Sequence, residues 1–378
     1  MAKLVSPFLA LFFFVFFNAC NGEDAMRSVE REMATSPYTI GVYYYPWYGD
    51  NFHGGRYMRN QLVPPQYPTL GEYDDRDEAV IAQHLVWSRQ AHIGLWVASW
   101  WGPNRREDRT LLNHILPHGD LGDMQIALFY ETSGRTRNFE DFSDVRADIA
   151  YMAEHYFDHA NYQRIDGRPV LFVYLTRVLS RKGTLGDMVA IMRAAAKEAG
   201  HDIYIVGDEV FGQPPASSEA MVLLDAVTNY DVYGSVGAKG YAGQAAVDRY
   251  YAAQGRWRDL AHAQGAAFIP AITPGFNDKG VRDGHAAVSR KLDEGAEFGS
   301  LFSAMLEQAV DYTDDSTGKM LLITSWNEWH EDTQIEPVGE AVATKKDASA
   351  TGDVFSEGLE YEGYGERYLQ ILREMVEH

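Results

Sequence analysis

Short apolar runs, rich in β-branched and aromatic residues, alternate with longer stretches of helical periodicity along most of the chain. Strands of a parallel sheet covered on both faces are continuous apolar runs, whereas helices repeat apolar positions every three or four residues. The apolar runs predict eight strands, at 39–47, 94–101, 125–131, 169–175, 202–208, 226–234, 266–274 and 319–326. The helical periodicity predicts helices at 76–92, 144–160, 185–200, 245–265, 299–312 and 364–377.

Eight strands that alternate with helices are typical of a (β/α)8 barrel, so we predict a single-domain TIM barrel over residues 38–378. The length of 378 residues also fits one large barrel. The alternative is an open, doubly wound sheet. It is disfavoured because no predicted strand is followed by a glycine-rich turn that could bind phosphate.

The C-terminal ends of several predicted strands turn polar and aromatic, which the opposite ends do not. In a (β/α)8 barrel these ends converge on one face, and the active sites of such barrels lie on that face. The asymmetry therefore predicts a functional site there. The segments are YYYPWYG (43–49), SWWGPN (99–104), FYETSG (129–134), NYDVYG (229–234), ITPGFND (272–278) and SWNEWHE (325–331).

The N-terminus has the pattern of an export signal. Lys3 precedes an apolar stretch at 4–17 that is too short to span a membrane, and FNAC ends at Cys20, the only cysteine. This resembles the lipobox of a bacterial lipoprotein. We therefore expect a signal peptide at 1–20, acylation of Cys20, a tether at 21–37, and a periplasmic or outer-membrane location with membrane contact through the lipid alone. An ordinary signal peptide cut nearby is the alternative.

The charge balance limits the partners. The chain carries 54 Asp and Glu against 33 Lys and Arg, a net charge of −21, whereas a protein that binds nucleic acid must neutralise phosphates. Many Trp and Tyr residues stand beside Gly, Pro and Asn, which suits stacking against flat, hydroxyl-rich ligands. We therefore expect a saccharide ligand, no nucleic acid, and a monomer.

Glu328 and Glu331 stand in the segment SWNEWHEDTQIEP (325–337), directly after the apolar run MLLIT. Hydrolysis of a glycosidic bond needs one carboxyl group that protonates the leaving oxygen and a second that acts as nucleophile or base. Residues three apart in a strand point to opposite faces, so the chain must turn after about Trp326 for both to face one ligand. Neighbouring carboxylates in a dry setting raise each other's proton affinity. A solvated loop is the alternative.

The same segment resembles the signature SxNEWHEGTQIEP of glycoside hydrolase family 99, the endo-α-mannosidases and endo-α-1,2-mannanases. VYYYPWYG, YPTLGEYDDRD, SWWGPN and PGFND are similar to further blocks of that family, in the same order. The resemblance implies a (β/α)8 barrel and retaining hydrolysis of α-mannosidic bonds through a 1,2-anhydro sugar, without a cofactor. It implies that Glu328 deprotonates the mannose 2-hydroxyl and that Glu331 is the acid/base.

The resemblance also implies which residues bind substrate. Trp101 matches a position beside the −2 sugar that favours mannose. The signature glycine is Asp332 here; aspartate tolerates a positive φ better than most residues, or it adds a third carboxylate. The match is weak between 176 and 245, which shapes the leaving-group side. The implied substrate contacts are Tyr44, Tyr45, Trp100, Trp101, Glu131, Tyr174, Tyr241, Arg290, Asn327, Trp329 and His330.

Three other functions compete with hydrolysis. A metal centre is disfavoured because the acidic run 72–78 precedes a helix that it would cap, and because Pro117 disrupts the helix that would align His114 with His118. A glycan-binding lipoprotein without activity would not need the pair of glutamates. A glycosyltransferase-like enzyme should carry basic residues or a metal for a nucleotide sugar, and the sequence shows neither clearly.

Overall fold

The structure, a computed structural model, describes residues 36–218 and 220–377. The predicted signal peptide, Cys20 and nearly all of the tether at 21–37 lie outside the described residues, so the lipoprotein interpretation stays a prediction. From Pro37 onward the described chain forms one compact unit. Every helix in the described part is too short or too polar to cross a bilayer.

A curled sheet of parallel strands forms the centre of this unit, with helices around it. Its hydrogen-bonded order is β8-β7-β6-β5-β3-β2-β1-β10-β9, and β4 pairs antiparallel with β5. The strands are β1 (Thr39–Tyr44), β2 (Ile93–Trp100), β3 (Gln125–Tyr130), β4 (Arg164–Ile165), β5 (Arg168–Val173), β6 (Tyr204–Asp208), β7 (Ala226–Thr228), β8 (Ala267–Phe268), β9 (Ala271–Ile272) and β10 (Met320–Ile323). The α-helices are Glu78–Gln90, Arg106–Thr110, Thr132–Arg135, Val145–Met152, Thr176–Lys182, Leu185–Glu198, Ala220–Leu223, Val232–Val236, Gln244–Ala263, Ser300–Ala309 and Arg367–Glu377.

The sheet closes into a barrel at an interrupted strand. β8 and β9, the two ends of the hydrogen-bonded order, are separated along the chain only by Ile269 and Pro270. The Ile269 N–H donates to the Val227 carbonyl at 2.9 Å, and the Leu322 N–H donates to the Pro270 carbonyl at 3.0 Å. Pro270 has no N–H to donate, which interrupts the ladder there. Counting β8 and β9 as one strand gives eight, and the (β/α)8 barrel is confirmed.

The barrel strands are buried nearly throughout because helices cover the sheet on the outside and side chains fill its interior. This explains their continuous apolar runs. Large aromatic side chains contribute much of the core; for example, Tyr44 stacks on Trp96 with ring centroids 4.3 Å apart.

Three local features differ from the predictions. The predicted strand 226–234 ends at Thr228, because the Asp231 side chain accepts a hydrogen bond from the Gly234 N–H and starts the helix Val232–Val236. The predicted helix 144–160 continues after Met152 as a π-helical turn, Ala153–Phe157. The antiparallel pair β11 (Val338–Thr344) and β12 (Tyr361–Gly365) was not predicted, since its short strands carry mixed polar residues and glycines.

We predict that Val42→Ala lowers the free energy of unfolding by about 2 kcal/mol, because Val42 is fully buried in β1 and the smaller side chain leaves a cavity. The matched control is Val342→Ala, since Val342 is 81% exposed in β11 and its loss should change stability by less than about 0.5 kcal/mol. Urea denaturation measures both. Equal effects of the two substitutions would contradict this description of the core.

Candidate active site

The segment that follows β10 leaves the barrel, and its two ends, at Ser325 and at 333–335, lie side by side. The Ser325 N–H donates to the Thr333 carbonyl at 2.8 Å, and the Ile335 N–H donates to the Ser325 carbonyl at 2.9 Å. Residues 326–334, here called the carboxylate loop, are therefore held as a closed loop on the C-terminal face. β10 ends at Ile323, so the chain turns earlier than the predicted position after Trp326. Glu328 and Glu331 both lie in this loop.

Asn327 attaches the carboxylate loop to the end of β1. Its Oδ1 accepts from the Tyr45 N–H at 2.7 Å, and its Nδ2 donates to the Tyr45 carbonyl at 3.1 Å. Tyr48 adds a second attachment: its hydroxyl donates to the Asn327 carbonyl at 2.6 Å and accepts from the Trp329 N–H at 3.1 Å. Asn327 is completely buried and its side chain is committed to these bonds. The structure therefore corrects its predicted role from substrate contact to support of the loop.

The acidic run 72–78 supports the same attachment. Asp75 is buried and accepts from the Tyr48 N–H at 2.6 Å and from Arg106 at 2.8 Å. Asp77 caps the helix Glu78–Gln90 by accepting from the Ala79 N–H at 2.9 Å, as the sequence predicted. Within the described residues, no group of three or more His, Cys, Asp or Glu side chains is arranged to hold a metal ion.

A cavity of about 400 Å³ opens at the C-terminal face of the barrel, beside the carboxylate loop. We call it the catalytic cavity. It brings together seven of the predicted site residues: Tyr45, Trp101, Glu131, Tyr174, Glu328, His330 and Glu331. The rest of its lining consists of Trp47, His53, Phe129, Ser133, Tyr230, Val281 and Arg282.

Glu328 and Glu331 have different surroundings in this cavity. Glu328 is buried, and its Oε1 accepts from the His330 N–H at 3.0 Å. Glu331 accepts a hydrogen bond from the Arg282 guanidinium, while its Oε2 has no hydrogen-bond partner in the protein. Burial, followed by the charge of Glu328, raises the pKa of Glu331 to about 7, although Arg282 acts in the opposite direction. Glu331 therefore holds its proton more tightly than an exposed glutamate does.

Glu131 forms a third acidic group at the end of β3. Its carboxylate accepts from the Ser99 hydroxyl at 2.7 Å, and the Ser99 oxygen accepts from the Trp101 indole N–H at 2.9 Å. Burial is the largest cause that raises the pKa of Glu131 to about 8. Gly134 makes room for the Trp101 ring, since a Cβ at that position would lie 2.4 Å from it. Trp101 is thus fixed in orientation beside a carboxyl that is mostly protonated at neutral pH.

The remaining wall is aromatic and contains residues that sequence reasoning missed. The hydroxyl groups of Tyr45 and Tyr230 share a hydrogen bond, and Trp47 stacks on His53 with centroids 4.3 Å apart. Trp47 and Tyr230 lie within the polar, aromatic strand ends that marked this face, so that signal could have found them. His53 and Arg282 lie farther along their loops, where no pattern singles them out.

Three predicted aromatic contacts lie outside the catalytic cavity and are corrected. Tyr44, the last residue of β1, is fully buried, with its hydroxyl 3.0 Å from Nδ1 of His84 in the helix Glu78–Gln90. The Trp100 indole N–H donates to Asp108 at 3.0 Å, and the Trp329 indole N–H donates to Glu336 at 2.8 Å. Each of these tryptophan side chains is fully buried, so it stabilises the fold near the site and does not reach a ligand.

Tyr241 and Arg290 also lie outside the catalytic cavity. Tyr241 is half-buried and packs against a small apolar cluster that includes Met58 and Leu359. Arg290 is buried, and its Nη2 donates to the Asp332 carbonyl at 2.8 Å. Arg290 is therefore corrected from a substrate contact to a structural residue, whereas a contact of Tyr241 with substrate stays a prediction.

Asp332, which replaces the glycine of the resembled signature, has a left-handed backbone with φ of 49°. Its buried carboxylate lies between the guanidinium groups of Arg59 and Arg290. Burial opposes ionisation, yet the charges of Arg290 and Arg59 outweigh it and lower the pKa of Asp332. Asp332 thus adopts the positive φ that aspartate tolerates, and it is not a third carboxylate of the catalytic cavity.

A closed (β/α)8 barrel with two glutamates in an aromatic cavity at its C-terminal face has the architecture of a glycoside hydrolase. The family model of glycosyl hydrolase family 99 matches residues 59–377. The chain belongs to this family, and it is a glycoside hydrolase.

Curated relatives match over most of the chain. The glycoprotein endo-alpha-1,2-mannosidase of Rattus norvegicus is 22% identical over 352 residues, 81% of this chain and 69% of that protein. The enzyme of the same name from Xenopus laevis is 23% identical and covers 94% of this chain and 80% of its own length. Among solved structures, the GH99 endo-alpha-mannosidase of Bacteroides thetaiotaomicron has a TM-score of 0.63 at 22% identity, covering 90% of this chain and 96% of that one. This structure shares the fold.

We predict that Asp332→Asn lowers the free energy of unfolding by about 3–5 kcal/mol, because it leaves the charges of Arg59 and Arg290 buried without a counter-charge. Asparagine also accepts a positive φ, so this substitution removes the charge without adding backbone strain. The control is Asp315→Asn, since Asp315 is 91% exposed. Denaturation curves of both variants test this, and equal stability would overturn the role given to Asp332.

Proposed function

We propose that this protein is a retaining, endo-acting glycoside hydrolase that cleaves α-mannosidic linkages in an α-mannan or a related polysaccharide. The observation that carries the proposal is the placement of Glu328 and Glu331 in one aromatic cavity, with the pKa of Glu331 raised to about 7. The names of the relatives support mannose as the sugar whose bond is cleaved.

The two glutamates divide the chemistry between them. In the first step, Glu328 removes the proton from the 2-hydroxyl of the reacting mannose, and O2 attacks C1 to form a 1,2-anhydro sugar. Glu331 donates its proton to the departing glycosidic oxygen as the bond to C1 breaks. In the second step, Glu331 takes a proton from water, which attacks C1 and opens the anhydro ring, and Glu328 returns its proton to O2. Two inversions at C1 retain the configuration.

The surroundings of the two carboxyl groups suit these roles. Glu331 must be protonated before bond cleavage, and its burial next to Glu328 favours the protonated form. Its second oxygen, Oε2, has no hydrogen-bond partner in the protein, so no protein group competes for its proton. One oxygen of Glu328 accepts a hydrogen bond from the His330 N–H, and this bond holds the carboxylate in a fixed orientation.

The rest of the catalytic cavity suits a sugar. Trp101 is fixed by Ser99 and presents an aromatic surface, while Glu131 supplies a carboxyl group for a hydroxyl of the ligand. Tyr45 and Tyr174 add further aromatic surface. An enzyme that degrades an external polysaccharide must be exported, and we propose that acylation at Cys20 anchors it to the membrane.

We predict that Glu331→Gln retains less than about 1% of the wild-type kcat on α-mannan, because glutamine cannot donate or accept the proton. The matched control is Glu294→Gln, since Glu294 is 76% exposed and remote from the catalytic cavity. Release of oligosaccharides from yeast α-mannan by protein lacking residues 1–20 measures the activity, and NMR of the first product gives its configuration. Unchanged activity in Glu331→Gln would contradict the assignment of Glu331 as the acid/base. Oligosaccharide binding without turnover by the wild type favours a binding protein.

We predict that Arg282→Gln moves the alkaline limb of the kcat/KM profile to higher pH. Activity needs protonated Glu331 and falls as the pH rises through its pKa. The charge of Arg282 lowers that pKa, so its removal raises the pKa further, while Glu328 and Asp278 continue to raise it. The control is Arg137→Gln, since Arg137 is 90% exposed. An alkaline limb that stays in place, or moves to lower pH, contradicts the role of Glu331 as the acid.

A further inference from the structure

A second cavity, of about 660 Å³, opens at the same end of the barrel. It lies between the helix Thr176–Lys182, which follows β5, and the loop that follows β6. We call it the β6 cavity. The residues that matter for its chemistry are Arg177 and Ser180 from the helix, and Glu209 and Phe211 from the loop.

The β6 cavity lies next to the catalytic cavity, and the carboxylate of Asp208 binds residues on both sides of the wall between them. Asp208, the last residue of β6, accepts from the Tyr230 N–H at 3.0 Å on one oxygen. Its other oxygen accepts from the Leu175 N–H at 3.1 Å and from the Arg177 guanidinium. Tyr230 lines the catalytic cavity, as does Tyr174, the neighbour of Leu175, while Arg177 lines the β6 cavity. The two cavities are therefore neighbours on one face, separated by the layer around Asp208.

Phe211 presents an aromatic surface in the β6 cavity, being 41% exposed. The Arg177 guanidinium lies 5.1 Å from its ring centroid, which covers part of the ring. The backbone on both sides of Phe211 is fixed: the Val210 N–H donates to the Thr228 carbonyl at 3.1 Å, and the Gly212 carbonyl accepts from the Trp257 indole at 3.0 Å. An aromatic ring on a fixed backbone is a preformed platform for a flat ligand.

The polar groups of the β6 cavity suit a hydroxyl-rich ligand. Arg177 is already paired with Asp208 and Asp231, whereas Arg181, which also lines the cavity, is exposed and can donate hydrogen bonds to hydroxyl groups. Glu209 is buried, accepts from the Ser180 hydroxyl at 2.9 Å, and has its pKa raised to about 7 by burial. A carboxyl group beside a hydroxyl provides both donors and acceptors for sugar hydroxyls, whereas a carboxylate would repel an anion.

We propose that the β6 cavity is a second saccharide-binding site, which holds a part of the polysaccharide chain that is remote from the bond being cleaved. The inference rests on the proposed function, because it takes the ligand to be the same α-mannan. Two sites joined through one ligand raise the affinity for a long chain without changing the affinity for a short one. The β6 cavity therefore selects for polymeric substrate.

The test uses the Glu331→Gln protein, which binds substrate without consuming it, and measures binding by titration calorimetry. Its two probes are soluble yeast α-mannan and an α-linked mannobiose, which offers two sugar rings in place of a long chain. Phe211→Ala is introduced to remove the platform, and Phe211→Tyr to retain it. Tyr67→Ala is the matched control, since Tyr67 is 43% exposed and lies outside both cavities.

We expect Phe211→Ala to weaken binding of α-mannan about tenfold, the order of magnitude for losing one apolar stacking surface, and to leave binding of the mannobiose in the catalytic cavity unchanged. Phe211→Tyr and Tyr67→Ala should retain, for both probes, the affinity of the Glu331→Gln protein, which is the parent of these variants. An equal loss for both probes, or no loss for α-mannan, overturns the second site while the proposed hydrolase stands. If the parent binds neither probe and the wild type hydrolyses no α-mannan, the proposed substrate falls and the second site falls with it.

Discussion

The hydrogen bonds between Asn327 and the backbone of Tyr45 hold the site together. They attach the carboxylate loop to the end of β1, and Tyr48, itself held by Asp75, attaches the same loop a second time. β1 lies between β2 and β10 in the closed sheet, so its position is set by the whole barrel. The side chains of Asn327 and Tyr48 thus fix the position of Glu328 relative to the barrel. Catalytic groups need this support because small displacements cost much of the rate.

Burial determines the chemistry of the acidic groups. The chain carries a large negative charge, yet Glu131 and Glu331 favour protonation because the cavity removes water from them and sets like charges nearby. Asp332 is more deeply buried, yet its pKa is lowered because two guanidinium groups surround it. The pKa values of Glu331 and Asp332, neighbours in one loop, are therefore shifted in opposite directions. The partners of each carboxyl group, and not its place in the sequence, decide the direction of the shift.

The eight strands and the functional face could be predicted from the sequence because continuous apolar runs and polar strand ends are local patterns. The contacts of individual residues could not. Trp100 and Trp101 are adjacent in one strand end, yet the first points to Asp108 in the fold and the second into the catalytic cavity. Arg282 reaches Glu331 from a distant loop, and such a pairing leaves no local signal. A positive φ at Asp332 was one of two alternatives predicted for that residue, whereas its two arginine partners were not predicted.

The arginine pair around Asp332 has an evolutionary consequence. In a chain with glycine at this position, Arg59 and Arg290 would share a buried space with no counter-charge between them. Replacement of Asp332 by glycine would therefore leave two buried guanidinium charges unpaired, and loss of both arginines would leave a buried carboxylate unpaired. We therefore expect the three positions to change together. We therefore expect a chain that carries this triad to keep it, although none of its members lines the catalytic cavity.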